Sequence, residues 1–126
     1  MIQGAQTYDG QITVCTAKGR LTFPEIQAKV TDLSSEKLTH RVLCDLTQAT
    51  VADLTTDDIE ALLDLIRPHV SGHGAKAAII AYSGVDYGVA RMFGTFAEIS
   101  GFPVKVKVFK TSEVAKDWLR DIEMTI

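Results

Sequence analysis

Short apolar runs alternate with segments of helical periodicity along most of this chain. That alternation constrains the fold more than any other feature. The runs "RVLCDL" (residues 41–46) and "KAAIIAY" (76–82) have strand length, and between them Ile59, Leu62, Leu63 and Ile66 recur at helical spacing. The second run is apolar enough to be covered on both faces, as a central parallel strand is. Strands separated by a helix must be joined by a crossover, and a crossover makes the neighbours parallel.

The remaining elements extend the pattern in both directions. "IQGAQTY" and "QITVCTA" flank Asp9-Gly10, a dipeptide suited to a tight turn, which predicts an N-terminal hairpin. Thr22 followed three residues later by Glu25 predicts a capping box, with Pro24 in the first turn and Phe23, Ile26, Val30 and Leu33 as the apolar face. A third helix carries Val89, Met92, Phe93, Phe96 and Ile99 and is ended by Gly101. "VKVKVFK" alternates strictly, a strand with one wet face whose lysines suit an edge, and "TSEVAKDWLRDI" predicts a last helix packing Val114, Trp118 and Leu119. The expected fold is α/β, in the order β-β-α-β-α-β-α-β-α. It is a mixed, mostly parallel sheet with an N-terminal β-hairpin and four helices packed on it, as a single domain over residues 1–126.

At 126 residues, one core can bury about two thirds of the unfolded surface without disulfide or metal staples. A net charge of −3 argues against a general nucleic-acid binder, which needs a basic face. The longest apolar run, "AAIIA", is far too short for a transmembrane segment, and "MIQGAQTYDG" lacks the basic and apolar parts of a secretory signal. The cytoplasm is therefore the default compartment. Cys15 and Cys44 lie in strand-like runs without CxxC spacing and read as small buried hydrophobes.

The order of elements, together with "KGRLTFPEI", "VLCDLTQATVADLTTDDIEALL", "KAAIIA" and "VKVFKTSEVAKDWL", resembles the STAS domain superfamily. The likeness is to the bacterial SpoIIAA-like subgroup of stand-alone anti-sigma factor antagonists, and it covers nearly the whole chain. The resemblance implies a non-enzymatic, regulatory protein-interaction module whose strand-to-helix loop binds a partner and carries a phosphorylated serine. Asp45, Leu46 and Thr47 match the opening of the family's loop, and Asp53 matches its later acid. Leu54 stands at the position of the phosphoserine, Thr55 at the second serine and Thr56 at the glycine, so the hydroxyl that defines the switch is absent from its own position.

Two candidate sites follow. The first, for partner binding or modification, is Asp53, Thr55, Thr56, Asp57 and Asp58. Thr55 has the position of an N-cap accepting from Asp58, with Asp57 and Asp58 favoured by the helix dipole; alternatively Thr55 or Thr56 carries a phosphate at the helix start. The second gathers Tyr82, Tyr87, Arg91, Phe93 and Phe96 around the third helix, as core or as the wall of a pocket for a small apolar, lipid-like ligand. The likeness of SpoIIAA-like sequences to the lipid-binding CRAL-TRIO fold adds to that reading. Within it, "AYSGVDYGVARMF" could bring Arg91 to an anion at a helix N-terminus.

Other patterns carry less. His69 and His73 stand at helical metal spacing, but Pro68 and two glycines interrupt the segment and no third ligand is near. "GHGAK" precedes a strand, the wrong order for a phosphate loop, and Ser83 is not in a G-x-S-x-G elbow. Neither metal, cofactor nor catalysis is expected. The partners expected are an unidentified regulatory protein, a small apolar ligand and a second copy in a homodimer.

Overall fold

The computed structural model describes residues 2, 6–8, 12–33, 41–69, 75–82 and 84–120. Its elements are β1 (Gln6–Tyr8), β2 (Ile12–Arg20), α1 (Phe23–Leu33), β3 (Arg41–Thr50), α2 (Thr56–Ile66), β4 (Lys76–Ile80), α3 (Gly84–Ile99), β5 (Lys105–Phe109) and α4 (Ser112–Arg120). A 3₁₀ turn, Arg67–His69, closes α2 where Pro68 removes a backbone donor. The mixed, mostly parallel sheet with helices between its strands is the architecture expected from the alternation of periods.

The strands lie side by side in the order of the sequence. β2 to β5 are parallel, with Cys15 opposite Cys44, Cys44 opposite Ile79 and Ile79 opposite Val108. β1 contributes three antiparallel pairs to β2, and the Asp9-Gly10 turn lies outside the described residues. β3 runs further than "RVLCDL" suggests. After a register shift between Thr16 and Lys18, its residues Gln48, Ala49 and Thr50 pair with Lys18, Gly19 and Arg20. Gly19 takes φ of 80° there, a conformation that costs glycine little and lets the edge re-aim. The loop before α2 is correspondingly shorter than expected.

Strands joined by crossovers of one hand, in sequential order, place their helices on one face. Ile79, Ala81, Cys44, Leu46, Val106 and Val108 face that layer, with Ala90 and Phe93 of α3 against them. The opposite face belongs to α4: Ile12, Leu43, Ala78, Ile80 and Phe109 pack with Ala115 and Leu119. Lys76 is buried beside this cluster, its Nζ donating to the carbonyl of Trp118 at 3.2 Å and lying 4.9 Å from the centre of that ring. The ammonium thus keeps a partner while its stem is buried.

Two helical assignments need correction. Val114 was expected in the core but is 54% exposed, and Ala115 takes its place. Positions 115 and 119 share a face, whereas 114 lies about 100° around the helix. Ile99 is likewise 78% exposed, because α3 ends there in a reversal. Phe102 N–H donates to the Ala97 carbonyl at 2.9 Å, Gly101 N–H to Glu98 at 3.2 Å, and Gly101 has φ of 69°. This pairing satisfies the last carbonyls of the helix and turns Phe102 back against Ala97.

Candidate functional site

The acidic turn is held from three sides. The N–H of Val51 and the hydroxyl of Thr50 both donate to Asp86 Oδ1, at 2.8 and 2.9 Å. Leu54 N–H donates to the Val51 carbonyl at 3.0 Å, and the Leu54 side chain packs into the cluster of Ala17, Leu21 and Val51. Leu54 therefore serves as an apolar anchor. Thr55 then caps α2 as the sequence suggests: its Oγ1 accepts from Asp58 N–H at 3.1 Å, and Asp58 Oδ2 accepts from Thr55 N–H at 3.0 Å. This reciprocal box stabilises the helix start by about 1 kcal/mol.

Among the first group of candidate residues, Asp53, Thr55, Thr56 and Asp57 are exposed and Asp58 is half-buried in the cap. Asp53 Oδ2 lies 3.3 Å from Arg20 Nε, and both side chains are well exposed, so the pair adds little to stability.

The second group is not one site. Tyr82 is 63% exposed beyond the end of β4, with Val85 nearby at 61%. Tyr87 lies under Lys110, whose Nζ is 5.2 Å from its ring centre. Arg91 is exposed. Phe96 packs between α2 and α3 with Ile59, Leu63 and Ala97. Of this group, Phe93 alone lines an apolar hollow. The strand order also never reverses, so the sheet has no switch-point crevice of the kind in which α/β sheets bind ligands.

That hollow, of about 380 Å³, lies between the sheet and the helix layer and is partly open to solvent. Its floor is made by Cys15 and Ala17 of β2, Cys44 of β3 and Ala77 of β4, and its roof includes Ile26 and Lys29 of α1, Ile66 of α2 and Phe93 of α3. Small side chains at neighbouring strand positions leave a gap that the roof does not fill. Phe102, brought back by the reversal after α3, closes the far end and lies under the Arg67 guanidinium at 5.5 Å. Among the described residues, the lining side chains with a heteroatom are Thr16, Lys29 and the two cysteines. A larger depression of about 530 Å³ lies by Gly94, Glu98 and Lys105, but Glu98 and Lys105 are exposed and it is a surface groove.

Cys15 and Cys44 sit side by side on adjacent strands with their accessible surface on the hollow. The hydrogen bond with Cys15, and then burial, holds the Cys44 thiol well above the ordinary thiol range. It is a neutral thiol at neutral pH, and so a poor nucleophile.

Sequence reasoning missed the hollow, its cysteine floor, Lys29 and Asp86. The small residues Cys15, Cys44 and Ala77 were the available signal, but their adjacency depends on strand register. His69 ends the 3₁₀ turn, and His73 and Ser83 lie outside the described residues. Among the described residues no group of three or more His, Cys, Asp or Glu is placed to hold a metal, and no helix is long and apolar enough to cross a membrane. No protein-family model matches the sequence, and a search of curated proteins finds no match.

Proposed function

We propose that the protein is a non-enzymatic binding module that holds a small apolar molecule between its sheet and the helix layer formed by α1, α2 and α3. The hollow carries this reading. Its volume of about 380 Å³ lies within the range of small-molecule sites, roughly 300–1,000 Å³. Its lining is mostly apolar, and water against such a surface finds few of the two to four polar partners it needs. An apolar guest would cover this surface and gain the transfer energy of its own.

The test uses the neutral fluorescent probe N-phenyl-1-naphthylamine. Saturable one-to-one binding is expected, and it should fall at least tenfold in Cys44→Leu/Ala77→Leu, which fills the floor, while the urea midpoint stays at or above that of the parent. Absence of saturable binding to the parent protein, or unchanged binding to the filled variant, refutes the reading.

A second reading is supported by the resemblance to STAS-type antagonists and by the exposure of Asp53, Thr56 and Asp57 on a turn held by Asp86 and Leu54. A pinned, exposed acidic turn suits recognition by a basic surface on a regulatory protein. Loss of a co-purifying protein on Asp53→Arg/Asp57→Arg, with the hollow intact, would support it. An unchanged set of co-purifying proteins would count against it.

A further inference from the structure

The shape and charge of the hollow narrow the guest, an inference that rests on the proposed ligand-binding reading. The lining extends from Cys15 on β2, through Cys44 on β3 and Ile79 on β4, to Val106 on β5. Crossing four strands at about 4.8 Å spacing makes the hollow roughly 14 Å long. Dividing about 380 Å³ by that length leaves a slot roughly 5 Å across, an elongated space that suits one extended chain or a flat aromatic probe laid along it. An apolar cavity of about 150 Å³ accepts benzene, or about 25 Å³ per non-hydrogen atom, so this hollow suits roughly 15 such atoms.

Among the described residues the lining carries one formal charge. Lys29, on α1 at the β2 end, is half-buried, and among the described residues no carboxylate lines the hollow. No ion pair or hydrogen bond is found for its ammonium among the described residues. An apolar slot with a single cation at one end is complementary to a molecule with an apolar tail and one anionic head. The ammonium provides three donors for that head, and a charge-assisted bond is stronger beside an apolar lining than at a fully exposed surface.

We propose that the hollow binds a single-chain amphipathic carboxylate, a medium-chain fatty acid in chemical class, with its carboxylate on Lys29 and its chain over Cys15, Cys44 and Phe93.

Displacement of N-phenyl-1-naphthylamine by dodecanoate, dodecan-1-ol and dodecylamine, each below its aggregation concentration, tests this. The full-length protein should bind dodecanoate about tenfold more tightly than the alcohol and bind the amine most weakly. Lys29→Met, which keeps the stem, should equalise acid and alcohol, and Lys29→Arg should retain the preference. Bound dodecanoate should also slow alkylation of Cys15 and Cys44 by N-ethylmaleimide, a readout that a surface ion pair would not move. Equal affinity for acid and alcohol in the parent, or a preference that survives in Lys29→Met, overturns this inference and leaves the hollow as a binding site. Failure of every probe to bind overturns the ligand-binding reading along with it.

Discussion

Asp86, in the first turn of α3, accepts the backbone N–H of Val51 through Oδ1 at 2.8 Å, across 35 residues of sequence. The same oxygen accepts the Thr50 hydroxyl at 2.9 Å. One buried carboxylate thus joins the end of β3, the acidic turn and the start of α3. Asp86→Ala leaves the buried Val51 N–H without that acceptor, and unfolding in urea should show a loss of about 1–3 kcal/mol. Asp86→Asn, which retains a carbonyl oxygen, should lose less. Equal midpoints for the parent and Asp86→Ala would show that the clamp is not needed.

The cap at Thr55 has a separable cost. Thr55→Ala should lower stability by about 1 kcal/mol, measured in the same way. Thr55→Glu should lower it at least as much, because it removes the acceptor and sets a negative charge beside Asp58. A Thr55→Glu variant more stable than Thr55→Ala would instead favour a turn built to accept a phosphate.

The Cys44 thiol links stability to alkaline pH. Its folded pKa is raised by the hydrogen bond with Cys15 and by burial, so between the unfolded and folded values the unfolded chain has released a proton that the folded chain keeps. The associated stability is fully present below the unfolded thiol pKa, near about 8.5. It is lost as pH rises from there towards the folded value, by at most about 1.4 kcal/mol per pH unit. Urea titrations between pH 7.5 and 10 should therefore fall more steeply for the parent than for Cys44→Ala. Parallel profiles would count against the shift.

Gly101 tests the reversal that delivers Phe102 to the hollow. A Cβ there meets no neighbouring atom, so the cost of Gly101→Ala is confined to its φ of 69°. It should be about 1–2 kcal/mol. A cost near zero, with binding of the neutral probe unchanged, would mean that the segment finds another way to close.

Much of the architecture was legible because it is written in local patterns. The stripe of Ile59, Leu62, Leu63 and Ile66, the Thr55–Asp58 cap and the Gly101 stop each depend on residues within a turn or two of one another. The tyrosines were misplaced for the opposite reason. Tyr82, Tyr87, Phe93 and Phe96 are close in sequence, but a helix and the loop before it point them to different surroundings. Proximity along the chain was taken for proximity in space. Val114 failed more narrowly, since Ala115 and Leu119 make the shorter, better-aligned face for packing on Ile80 and Phe109.

The order of strands and helices, the parallel sheet and the helix boundaries could be read from residue periods, because hydrophobic burial selects the same side of an element at each repeat. The sequence also places a leucine at position 54, between Asp53 and the cap at Thr55. Only the folded arrangement showed why it is apolar: it anchors the turn in the Ala17–Leu21–Val51 cluster. The hollow, its cysteine floor and Lys29 at its end were decided by strand register and by how far the roof stands above small side chains. Those quantities join residues distant along the chain, so no local pattern encodes them.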